Sequence, residues 1–245
     1  MHQIPDEKSG KMTPDEITER INAMLLAPLT WIFDDSISKT NTLVLVVLLF
    51  STCLIGDGTL SYIYNTHYWT RAGIDSATRG LIALWSWALV ENVNFDRYKL
   101  LNCLLCAVLS VSIDLDHFYA AGSFDIKTAV NLPDRPPLHL TTIIPVVCAI
   151  LWILGMVLKV RYLQKLSLIF LTAVFSHHIR DATSEGLWLA PFSNTHVEYW
   201  TYVAVTMLIP VLVRKVYIRF LPGKKVLTSS GDTVAVVPTI FNAKC

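Results

Sequence analysis

Charge is what this sequence has least of. Only 16% of its 245 residues are Asp, Glu, Lys or Arg, while 53% are hydrophobic. Soluble domains carry about 25% charged residues and 45–50% apolar ones, so the shortage predicts an integral membrane protein whose first partner is a lipid bilayer. The net charge is +1, which leaves no basic field to hold nucleic acid and excludes that partner. No Asn-x-Ser/Thr sequon marks a glycosylated loop, and no Gly-x-Ser-x-Gly elbow marks a serine hydrolase. Cysteine is sparse. Cys53, Cys103, Cys106 and Cys148 lie inside apolar runs, and the single C-x-x-C has no second pair, so these read as small buried apolar side chains. Cys245 lacks the three following residues of a prenylation box. Residues 1–24 are polar and acidic, unlike a leader with a basic patch and an apolar core; the first membrane helix is expected to act as its own targeting signal.

What the chain does have is long apolar runs. Six stand out, at 43–64, 74–93, 98–116, 140–158, 166–189 and 199–219, each close to the ~20 residues a spanning helix needs. With the amino terminus in the cytosol, fifteen of the 20 basic residues fall on the cytosolic side. Only Arg71, Arg79, Lys127 and Arg135 fall on the other, with Arg180 inside a helix. That bias obeys the positive-inside rule and places both termini in the cytosol. The expected fold class is therefore all-α, a polytopic membrane helix bundle of about six transmembrane helices over 43–221. Within 1–42, Thr13, Pro14 and Glu16 form a helix start, and Ile17, Ile21 and Leu25 share one face, predicting an amphipathic helix. Residues 222–245 are short of core material and read as a mostly disordered cytosolic tail.

On this topology the intramembrane charges converge. Asp57, Arg79, Asp114, Asp116, His117, Arg135, His139, His177 and Asp181 all fall toward the non-cytosolic side. Ionisable groups at such depth tend to be paired, cavity-facing and functional. His177 and Asp181 are four apart and share a helix face. Asp114 and Asp116 are two apart, so both can address one centre only where the helix ends or unwinds. Three carboxylates and three imidazoles make a hard-to-borderline ligand set suited to Zn, Mn, Mg or Fe. His178 faces away from His177 and reads as packing or support.

Three motifs carry a resemblance: S-I-D114-L-D116-H117, then D-R135-P-P-L-H139-L-T, then F-S176-H177-H178-I-R-D181 followed by G186 and A-P191-F192-S. They resemble those of prokaryotic proteins described as LexA-binding, inner membrane-associated, metal-dependent hydrolases. That family shows P-D-x-D-H, R-G-x-T-H-S and S-H-x-x-x-D, then a glycine and a W-P-F-like end. The similarity spans roughly residues 100–195. It implies Asp114, Asp116, His117, His139, His177 and Asp181 as metal ligands. This chain departs from the pattern at Ile113, at Pro136 and Leu138, and in the first helix, where Asp57 stands in place of a histidine.

Three functions fit these residues. In a divalent-metal hydrolase, Asp116 or Asp57 is the general base, and Arg135 or Arg79 clamps an anionic group. The depth of the site suggests a lipid or lipid-phosphate substrate. In an inactive scaffold or partner-binding protein, the same residues form a charge-balanced structural network. An ion or proton transporter is the weaker alternative, since the sequence has no internal repeat.

Overall fold

The structure, a computed structural model, describes residues 39–63, 67–92, 96–190, 193–221, 224–225 and 236–237. The expected amphipathic helix lies outside them, and all described packing belongs to the unit from residue 40 onward. In chain order the elements are α1 (Lys39–Tyr62), α2 (Tyr68–Glu91), α3 (Arg97–Ser112), α4 (Leu115–Ala121), α5 (Ile126–Val130), a 3-10 turn (Pro137–His139), α6 (Ile143–Val157), α7 (Arg161–Asp181), a hairpin of β1 (Leu187–Leu189) and β2 (Ser193–Thr195), and α8 (Tyr199–Phe220). The segment expected to be a disordered tail contains an antiparallel pair, β3 (Lys224–Lys225) with β4 (Val236–Val237). Its other residues, apart from 221, which precedes it, lie outside those described.

Each long helix overlaps one apolar run. Among the described residues two stretches are long and apolar enough to cross a membrane by themselves, Thr40–Tyr62 and Arg97–Ala121, while Ile143–Val157 is apolar but shorter. Both stretches turn large apolar side chains outward, Leu43, Val47 and Ile55 on α1 and Leu101, Leu104 and Val108 on α3. A core helix of a soluble protein would bury them; these suit contact with lipid.

Two boundaries differ from expectation. The third run was expected to stay helical to 116, but α3 stops at Ser112 and α4 begins at Leu115. The fifth was expected to reach 189, but α7 ends at Asp181. Thr183 and Ser184 there bond back to the carbonyls of Arg180 and Asp181, and Gly186 turns the chain with φ +82°, a conformation only glycine adopts readily.

The core is built around α2, which packs on α3, α7 and α8, while α6 packs on α7. Trp87, Tyr202, Cys53, Cys103, Cys106 and Ile169 are fully buried there. The cysteines are free, as their setting predicted. At one end of this core, α2 contributes the buried Glu91. It pairs with Lys165 of α7 and accepts from Asn102 of α3 at 3.3 Å and the Tyr217 hydroxyl of α8 at 3.4 Å. One carboxylate thus fastens four helices. Glu91→Ala would leave Lys165 without its counter-charge, and losing one partner of a buried pair costs about 3–5 kcal/mol. We expect a large drop in the melting temperature of the detergent-solubilised protein, mostly recovered in Glu91→Leu/Lys165→Met. An unchanged melting temperature for Glu91→Ala would contradict this role.

Exposed aromatic residues gather at both ends of the helices. Tyr62, Tyr68, Trp69, Tyr119, Phe124 and Trp200 mark one end, and Tyr98, Tyr162 and Phe220 mark the Glu91 end. Rings at two levels are what a protein crossing a bilayer places at its two water interfaces.

Candidate metal centre

Four potential ligand atoms meet at the end of the core opposite Glu91. His177 and Asp181, one turn apart on α7, bring Nε2 and Oδ2 to 3.1 Å. The break between α3 and α4 swings Asp114 inward, with Oδ1 3.4 Å from His177 Nε2 and 3.7 Å from His139 Nε2. His139, on the 3-10 turn, sets its Nε2 3.5 Å from Asp181 Oδ2 and 3.4 Å from His177 Nε2. These five separations of 3.1–3.7 Å are close to the ~3.3 Å between neighbouring ligands that sit 2.0–2.1 Å from a zinc ion, and His139, His177 and Asp181 group as a set able to hold one.

The surrounding bonds point the acceptors inward. The Nδ1–H of His177 donates to the Ser110 carbonyl at 2.8 Å, which leaves its Nε2 lone pair facing the centre. His139 turns Nδ1 to Asp116 Oδ2 at 3.4 Å, and the same oxygen accepts from the Leu138 N–H at 2.9 Å. A carboxylate behind a ligating histidine fixes its tautomer and orientation. Arg79 forks across the other oxygens of Asp114 (2.5 Å) and Asp181 (2.8 Å), so each carboxylate presents its remaining oxygen inward. His178 donates from Nε2 to the Leu138 carbonyl and accepts at Nδ1 from Thr141, both at 3.1 Å. Both nitrogens are occupied in holding the His139 turn.

The six ligands that the resemblance implied therefore divide. Asp114, His139, His177 and Asp181 converge. Asp116 stands behind His139. The half-buried His117 packs its ring edge-on to His139, with centroids 4.9 Å apart, and directs Nδ1–H to the Ala129 carbonyl at 3.1 Å. Its ligand atom groups with those of Asp114 and His139, at the margin of the centre. Two expected catalytic residues lie elsewhere. Arg135 holds the loop after α7 through the Gly186 carbonyl (2.6 Å) and Glu185 (2.8 Å). Asp57 receives two bonds from Arg180, at 2.9 and 2.8 Å.

Asp75 was not among the expected residues, yet it links the two guanidinium groups, at 2.7 Å from Arg180 and 2.9 Å from Arg79. Its position four residues before Arg79 was the available signal. Four carboxylates, Asp57, Asp75, Asp114 and Asp181, thus meet two guanidinium groups, and Asp116 meets His139. Buried carboxylates without compensation are costly, which favours a cation among these histidines. Burial disfavours a charged His139, but its bonds to Asp114 and Asp116 outweigh that and hold its pKa up at about 9.

Beside the centre, a cavity of about 520 Å³ opens between α1, α2 and α7. Arg79 and Asp181 form its inner wall, Leu54 and Leu60 line it from α1, and Arg71 and Arg180 contribute positive charge.

Lipid-facing helices around a buried Asp/His cluster define a helical transmembrane protein. Comparison with curated proteins supplies the family. The chain is 39% identical over 188 residues to transmembrane protein 267 of Danio rerio, covering 75% of this chain and 83% of that protein. It is 39% identical to the Xenopus laevis protein of that name, over 64% of this chain and 74% of the other. With the Mus musculus protein it shares 33% identity over 195 residues, 78% of this chain and 89% of that one. The chain belongs to the transmembrane protein 267 family. No family model matches it, so the resemblance to the prokaryotic hydrolases rests on its motifs alone. No solved structure matches it either.

Proposed function

We propose that this is a multi-pass membrane protein that holds a divalent metal ion at Asp114, His139, His177 and Asp181. The convergence of four potential ligand atoms, with each imidazole turning Nδ1 to an outer acceptor, carries the reading. Two imidazoles and two carboxylates, once His139 gives up its proton as the metal binds, favour zinc, with manganese or iron as the alternatives of similar ligand taste. In the six-span arrangement, with both termini cytosolic, the centre lies near the non-cytosolic face.

The cavity favours a hydrolytic role on a lipid or lipid-phosphate ester. A divalent ion in such a place supplies Lewis acidity and hydroxide near neutral pH. The chain's own residues do the rest. Arg79 and Asp116 fix ligand geometry, while the cavity sets Leu54 and Leu60 beside a polar wall where Arg71, Arg79 and Arg180 stand with Asp57, Asp75 and Asp181, a pairing of apolar and polar surface that suits an amphiphile. Arg135 is too committed to Gly186 and Glu185 to clamp substrate, and Asp57 acts through Arg180 rather than as a base.

One observation favours a second reading, a metal-stabilised scaffold without turnover. The centre offers four protein ligands, and spheres closed by protein are typical of structural sites. The two readings separate on turnover. Metal-loaded protein in mixed micelles that releases phosphate from a lipid phosphate, and fails to when His177 is changed to Ala, supports the hydrolase. A loaded protein inert towards phosphate and acyl esters supports the scaffold.

Asp116 provides a finer test of the centre. Changing a carboxylate behind a ligating histidine typically costs 10–100-fold in metal affinity. Asp116→Asn should weaken zinc binding by that order in a chelator-competition titration while the protein stays folded. Equal affinity would remove Asp116 from the account.

A further inference from the structure

We propose that α4 and the turn after it form a lipid-facing hairpin seated at the acyl–headgroup boundary on the side of the Asp/His centre. The inference rests on α3 crossing the bilayer, and the length of α3 carries it. Its 16 residues rise about 24 Å at 1.5 Å per residue, whereas the hydrocarbon core is about 30 Å thick. With Arg97 and Lys99 at one water boundary, the chain reaches Ser112 several ångströms short of the other. The next residues are therefore placed at lipid depth.

Their side chains suit it. Leu115, Tyr119 and Phe124 are 63%, 86% and 91% exposed, while Asp116, Ile126 and Ala129 are buried on the opposite side. The apolar surface continues that of Leu104 and Val108 on α3. Gly122, at φ +59°, ends α4 in a left-handed turn, and the Phe118 and Phe124 rings stack at 6.4 Å across it. Lys127 lies over the Tyr68 ring at 5.9 Å, with its charge where a lysine reaching for water is favoured. Tyr62, Trp69 and Trp200 are exposed at this same end of the helices, as an interfacial belt requires.

The consequence concerns the centre. The helix that meets lipid through Leu115 and Tyr119 also carries Asp116, which orients His139, and His117. Seven residues join the bilayer to the ligand shell, so lipid contact helps to set the position of Asp116.

Nitroxide labels test the placement in the full chain. Cys148→Ser/Cys245→Ser protein, whose remaining native thiols are buried, is labelled singly at Tyr119→Cys, Phe124→Cys, Val108→Cys or Asp125→Cys and reconstituted into palmitoyl-oleoyl phosphatidylcholine vesicles. Collision rates are then read with oxygen, which dissolves in lipid, and with a water-soluble nickel chelate. Oxygen should exceed the chelate severalfold at 119 and 124, as at 108, and the reverse should hold at 125. Chelate dominance at 119 and 124, with 108 still in lipid, would overturn the proposal. So would low collision rates with both reagents there, which would indicate a protein partner or a second copy. Chelate dominance at 108 as well would overturn the membrane placement of α3 itself.

Discussion

Arg79→Ala should lower the melting temperature more than any other single change at the centre. The guanidinium touches Asp75, Asp114 and Asp181 at 2.9, 2.5 and 2.8 Å, and its removal strands Asp114 and Asp181, while Asp75 keeps Arg180. Breaking a buried charge network by deleting one member costs about 3–5 kcal/mol. For a domain of this size that is on the order of 10 °C in melting temperature. Arg79→Lys keeps the charge but loses the planar fork that reaches Asp114 and Asp181 together. It should fold and bind metal more weakly, because nothing then turns both inner oxygens to the centre. Thermal denaturation in detergent, on chelator-treated protein, reads both variants. An Arg79→Ala protein as stable as the unsubstituted chain would mean that the carboxylates are protonated or solvated and that no charge network exists.

The second large effect should come from metal itself. A ligand that binds only the folded state stabilises it by about 4 kcal/mol at a thousand times its dissociation constant. Adding zinc to chelator-stripped protein should therefore raise the melting temperature by roughly 10 °C, and His177→Ala should abolish the rise. Because histidine and carboxylate ligands bind metal only when deprotonated, binding releases protons. The rise should accordingly shrink as the pH falls. A shift of equal size in His177→Ala would mean that zinc acts elsewhere on the chain.

Much of this centre was legible in the sequence because its residues depart from their surroundings. His177 and Asp181 stand one helical turn apart in an apolar run, and Asp114 interrupts another, so each announces a cost that needs an explanation. The division of labour between Asp114 and Asp116 was not legible. It depends on the helix stopping at Ser112 and resuming at Leu115, a break that no proline or glycine signals. Asp57 and Arg135 were read as catalytic because charge in a membrane helix or at its mouth attracts that assignment. Their neighbours, Arg180 and the Gly186–Glu185 loop, are about 50 residues distant in sequence for Arg135 and more than 120 for Asp57. Glu91 was passed over for the opposite reason. At the edge of an apolar run an acidic residue resembles an ordinary boundary, and only the packing of α3, α7 and α8 around it reveals a buried hub. The helices themselves followed the apolar runs closely, since hydrophobic length and periodicity survive in any topology.

The most direct measurement is metal content by mass spectrometry on detergent-purified protein, beside the Asp114→Asn/His177→Ala double variant. The account predicts about one equivalent of zinc, manganese or iron per chain, held at the proposed four-ligand centre, and its loss in a double variant that still elutes as a folded species. A folded unsubstituted chain that holds no metal after incubation with zinc, or a double variant that retains the full equivalent, would contradict it.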